Sequence, residues 1–85
     1  GKRSRRPRPQ HDAAYVAMCE RLKAMREEAG LTQVVLGAAF GRPHTFVHKV
    51  ESGDRRIDPV EFCRWCVACQ TDPGREIKRF ANSIQ

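Results

Sequence analysis

No apolar run approaches the roughly 18–20 residues that a membrane span needs, and no basic segment leads into an apolar signal core. No stretch alternates polar and apolar residues long enough to read as a strand, and no internal repeat is present. None of the usual catalytic signatures occurs, so the expectation is a protein that is not an enzyme and takes no cofactor. Acidic residues are missing from residues 1–10 altogether. These gaps set aside membrane spans, secretion and β architectures.

What is present fits one small domain. The chain has 85 residues, 40% of them hydrophobic and 31% charged, which is a globular balance near the size where a core only just suffices. Lys and Arg number 16 against 10 Asp and Glu, a net charge of +6. Five of those cations, Lys2, Arg3, Arg5, Arg6 and Arg8, sit in the first ten residues, leaving 11 against the same 10 acids. A basic arm on a near-neutral body favours a polyanionic partner. The four cysteines are not needed as staples, because the rest of the chain patterns as an ordinary core. A reduced, cytoplasmic setting is the simpler reading.

Residues 1–11 hold no apolar side chain outside two prolines, so they are expected to be a disordered basic arm. Residues 12–85 form the domain. Tyr15, Met18 or Cys19, Leu22 and Met25 recur at helical spacing between Asp12, a cap, and Gly30, a stop. Thr32 caps a short second helix that ends near Phe40. Pro43, read as a first helical residue, opens a third helix that ends at Gly53. Asp58-Pro59 opens a fourth helix to about Cys69. Asp72-Pro73 opens a fifth to about Asn82. The predicted fold is all-α, with five short helices.

The segment from Gln33 to Glu51 is the informative one. Leu36 and Phe40 of its first helix, and Val47 and Val50 of its second, fall where each helix faces a common core. Gly37 is small where the two must come close, and Gly41 sits at a sharp turn that a Cβ would resist. Two helices meeting across so short a turn are the demands of a helix-turn-helix. The run Glu27-Glu28-Ala29-Gly30-Leu31-Thr32-Gln33, then Gly41, then Val47-His48-Lys49-Val50-Glu51-Ser52-Gly53, resembles the Cro and phage-repressor (XRE-type) helix-turn-helix family. The resemblance spans roughly Leu22 to Pro73. It implies a compact five-helix, lambda-repressor-like domain that regulates transcription on double-stranded DNA, with its third helix (about 43–52) in the major groove. It also implies a cytoplasmic, nucleoid-associated protein. The sequence departs from the family pattern at Arg42, in place of a valine, and at Pro43, in place of a Ser or Thr cap. Val34 and Val35 replace common polar residues, and Val34 leaves an exposed apolar spot.

Carried over by position, the resemblance implies base contacts from His44, Thr45 and Lys49, with His48 beside them. Thr45 suits a thymine methyl or a hydrogen bond, and Lys49 a guanine edge. Phosphate contacts fall to Gln33, Arg42, Ser52, Arg55 and Arg56, and the arm adds backbone or minor-groove contacts. Arg26 and Glu51 match a structural ion pair that ties the first helix to the third. One such helix reads only a few base pairs, so a homodimer on a pseudo-palindrome is expected. Ile77, Phe80, Ala81 and Ile84 of the last helix are the expected interface.

Two other readings stand beside this one. An antitoxin-like or adaptor protein would bind DNA on behalf of a protein partner, with Val34 and the last helix as contact surfaces. A metal- or redox-sensing domain would use Cys63, Cys66 and Cys69. At about 100° per residue those three fan around a helix instead of converging. By the same resemblance they match core positions of the family, where free cysteine packs as a small hydrophobe.

Overall fold

A computed structural model describes residues 12–84 of the chain. The basic arm, with Lys2, Arg3, Arg5, Arg6 and Arg8, lies outside the described residues, as does Gln85. The described residues form five helices: α1 (Ala13–Glu28), α2 (Gln33–Ala39), α3 (His44–Ser52), α4 (Pro59–Ala68) and α5 (Pro73–Ser83). None of them is long and apolar enough to cross a membrane.

Local chemistry sets most of the boundaries. Asp12, Thr32, Asp58 and Asp72 each accept a backbone N–H of the helix that follows, filling donors that a helix start leaves open. At Asp58 the cap is reciprocal, because Glu61 accepts the Asp58 N–H in return. Gly30, Gly41 and Gly53 take positive φ angles of 75°, 66° and 87° at the three turns before α4. The turn after α4 uses Gln70 at φ 61°, a position that costs a side-chain-bearing residue about 1–2 kcal/mol. Pro43 differs from the sequence expectation. It is the residue before α3, extended at φ −72° and ψ 167°, and its ring offers no cap hydrogen bond.

The core lies where α1, α2, α3 and α4 meet. Leu22, Leu36, Val47, Val50, Trp65 and Cys66 are fully enclosed. Trp65 donates its indole N–H to the Leu22 carbonyl at 3.0 Å, so the largest buried side chain leaves no polar atom unpaired. Phe40 bridges the helix pair to α4, with ring centroids 5.0 Å from Phe46 and 6.1 Å from Trp65. Two ion pairs bind the ends of the bundle. Arg26 joins α1 to Glu51 of α3, and Arg21 joins α1 to Glu76 of α5.

Candidate nucleic-acid interface

The site begins at Gly37, where α2 passes over the turn leading into α3. A Cβ there would stand 2.8 Å from the Arg42 carbonyl oxygen and 3.0 Å from that of Pro43. The missing side chain lets the turn close, and Arg42 donates its N–H to the Gly37 carbonyl at 3.0 Å. The close approach expected of Gly37 is therefore to the turn backbone, not to the body of α3. This contact fixes the direction in which α3 leaves the turn.

α3 is two-faced. Phe46, Val47 and Val50 enter the core. His44, Thr45, His48 and Lys49 lie on the opposite, exposed side. None of these four side chains hydrogen-bonds to another described residue, so their donors and acceptors remain free for a ligand.

The base of α3 is held by a polar network. Arg26 donates through Nε and Nη2 to the two Glu51 oxygens at 2.6 and 3.1 Å, and through Nη1 to the Leu31 carbonyl at 2.9 Å. The Glu51 side chain is only 4% exposed, and its hydrogen bonds hold the Arg26 guanidinium above its ordinary pKa. Gln33 joins the same carboxylate, Nε2 donating at 3.1 Å. The sequence offers no sign of that bond. It leaves one amide N–H of Gln33 uncommitted.

Arginines flank this surface. Arg42 and Arg55 both lie over the Phe46 ring, 4.7 and 4.9 Å from its centroid. Arg55 is further fixed by two hydrogen bonds to Glu61, at 2.9 and 3.0 Å. That pairing raises the Arg55 pKa and, as its main cause, lowers that of Glu61. Arg56 turns away and covers the Tyr15 ring at 4.1 Å. Ser52 spends its hydroxyl proton on the Lys49 carbonyl. The structure thus gathers the four α3 side chains, Arg42 and Arg55 around one helix, places Gln33 at its base, and sets Arg56 against α1. Sequence reasoning missed Glu61 as the holder of Arg55. The Asp58-x-x-Glu61 spacing was the available signal for its cap role, but nothing in the spacing points to Arg55.

The remaining candidate residues lie elsewhere. On α5, Ile77 is 46% exposed, Ala81 is exposed and Phe80 is half-buried against the core, while Ile84, which caps the end of the helix, is 51% exposed. Cys66 and Cys69 are buried, and burial pushes their thiols up, Cys69 to about 11. Cys63, expected at a core position with the other two, instead faces solvent, because it lies on the side of α4 turned away from Phe62, Trp65 and Cys66. Among the described residues no group of three or more His, Cys, Asp or Glu side chains gathers as a metal site would require.

Residues 17–80 match a family model described as a helix-turn-helix domain. An XRE-family like protein from Pseudomonas syringae pv. tomato str. DC3000 has a similar solved structure. It is 37% identical, with a TM-score of 0.81, and the match covers 88% of this chain and 92% of that one. No curated protein sequence matches the chain.

Proposed function

The chain belongs to the helix-turn-helix family of the XRE type, and on that footing we propose that it is a transcriptional regulator binding a specific sequence of double-stranded DNA. The observation that carries this reading is the exposed face of α3, with four hydrogen-bonding side chains uncommitted within the described fold. α3 enters the major groove, where His44, Thr45 and Lys49 meet base edges and His48 stands next to them. Arg42 and Arg55, braced on Phe46, take flanking phosphates. Gln33 offers its remaining N–H to the backbone and the basic arm extends the phosphate contacts, which Arg56 and Ser52 join by leaving the Tyr15 ring and the Lys49 carbonyl. Two protomers pair through Ile77, Phe80, Ala81 and Ile84, on half-sites about one helical turn apart. The protein works in the cytoplasm on the nucleoid and catalyses no reaction.

The adaptor reading has one observation in its favour. The outward face of α2 carries no charge, and Val34 and Val35 are 63% and 53% exposed. Recovery of a stoichiometric protein partner would favour it.

The main reading is tested on a duplex selected from a random pool. His44→Ala, Thr45→Ala and Lys49→Ala should each cost roughly 1–3 kcal/mol on that duplex. Affinity for random duplex should change far less for His44→Ala and Thr45→Ala. Equal losses on both duplexes would reject the assignment of base contacts to α3.

A further inference from the structure

A groove of about 620 Å³ opens between the starts of α1, α4 and α5, outside the DNA-reading face. That size lies within the range of small-molecule sites, about 300–1,000 Å³. Its walls are mostly apolar: Tyr15, Ile57, Phe62, Ile77 and Phe80. The Tyr15 hydroxyl accepts the Ile57 N–H at 3.0 Å, which ties the turn before α4 to α1 and keeps two sides of the groove together.

Three charged residues also line it, Asp12, Arg56 and Asp58. Both carboxylates are committed to helix starts. Asp12 accepts the Ala14 N–H at 2.9 Å, and Asp58 accepts the Glu61 N–H at 2.7 Å. Each is further offset by the partial positive charge, roughly half a unit, that a helix start carries. The start of α5, at Pro73 and Gly74, turns a third such end toward the groove. Arg56 has no comparable partner. Its guanidinium rests on the Tyr15 ring, 4.1 Å from the centroid, and pairs with no carboxylate among the described residues. A ring face attracts the cation but leaves the N–H donors at its edge unused.

We propose that this groove binds a small effector of one class, an apolar carboxylic acid with an aromatic body. The body lies on Phe62, Ile77 and Phe80, and the carboxylate takes the edge of the Arg56 guanidinium. An arginine fork and a carboxylate form two parallel hydrogen bonds, and a mostly apolar wall with one unanswered cation selects an apolar body with one anion. The effect on DNA rests on the function proposed above. Arg56 reaches phosphate only by leaving Tyr15, so an acid that holds it at the groove withdraws one phosphate contact. Arg55 is not drawn with it, because Glu61 and Phe46 hold that side chain separately.

The test is a calorimetric titration of the full chain, without DNA, with biphenylacetate, its uncharged amide biphenylacetamide, and the cation biphenylethylammonium. The acid should bind once per protomer and at least about tenfold more tightly than the other two. In Arg56→Gln the acid should bind no better than the amide, and uptake of the amide shows that the groove is still folded. Equal binding of acid and amide by the unmodified chain, or a preference for the acid kept in Arg56→Gln, overturns the role of Arg56. Tighter binding of the cation overturns the ligand class in favour of Asp12 and Asp58. No uptake of the acid, including the case in which a second copy of the chain fills the groove, overturns the site. On the selected duplex, saturating acid should make the salt slope of binding shallower by about 0.9 per protomer, and an unchanged slope overturns the effector role. A chain that takes up the acid but prefers no duplex overturns the proposed function instead, while the titration still upholds the groove.

Discussion

Glu51 illustrates how much one side chain decides. Its carboxylate receives Arg26 twice and Gln33 once while almost closed off from solvent. Taking away its charge leaves a buried guanidinium with one neutral amide oxygen and the Leu31 carbonyl and turns the other oxygen into a donor facing it, which is costly because the desolvation of Arg26 is no longer offset. Glu51→Gln should therefore lower stability by about 2–4 kcal/mol in urea titrations. Gln33→Ala removes a neutral, half-exposed donor and should cost less than about 1 kcal/mol. Similar losses for the two variants would show that Arg26 finds another partner. The ion pair was legible in the sequence through its resemblance to the family. The Gln33 bond was not, because the resemblance assigns that glutamine to DNA and a hydrogen bond 18 residues apart leaves no periodic trace. Gln70 was missed for a related reason: the left-handed turn after α4 carries none of the glycine that marked the other three.

At the level of elements, caps and glycines made the five helices readable, since each is a local interaction within four residues. What was not readable is how α5 is attached. An acidic residue on a helix ordinarily marks a solvated face, yet Glu76 is turned inward with its side chain 5% exposed. Arg21 meets it with two hydrogen bonds of 2.9 and 3.0 Å, which hold the Glu76 carboxyl below its ordinary value of 4.5. In the unfolded chain it titrates at that ordinary value. The pair's contribution is thus fully present above about pH 4.5 and disappears as the pH falls through the lower folded value. Glu61, depressed by Arg55, acts in the same direction. Melting temperatures taken from pH 7 down to pH 3 should fall, and fall less steeply for Glu76→Gln, which starts lower. Glu76→Ala at pH 7 should cost about 2 kcal/mol. An acid-side decline as steep in Glu76→Gln as in the unmodified chain would remove Glu76 from this account. The same pair positions Ile77 and Phe80 on α5, so if two protomers pair as proposed, a variant that loosens it should also weaken that pairing.

On the function proposed above, the molecule separates the tasks of reading and holding. The body has nearly balanced charge, and its α3 face is small, so base contacts alone give few of the ionic contacts on which DNA affinity depends. The first ten residues supply five cations with no counter-charge among them. Each phosphate they neutralise releases condensed counterions and adds about −0.9 to the log–log slope of affinity against salt. Deleting residues 1–9 should therefore leave helical circular dichroism and the melting temperature nearly unchanged, because the core is built from residues after Asp12. Binding should weaken on selected and random duplex alike, with a salt slope shallower by up to about 4.5 per protomer if all five cations reach phosphate. The ratio between the two duplexes should be kept, since α3 still reads the bases. A truncated protein that retains the full slope would place the arm off the DNA. One that loses the ratio between duplexes while keeping its slope would mean that the arm reads sequence, as arginines do in a narrow A·T minor groove, and that the division of labour between arm and α3 is wrong.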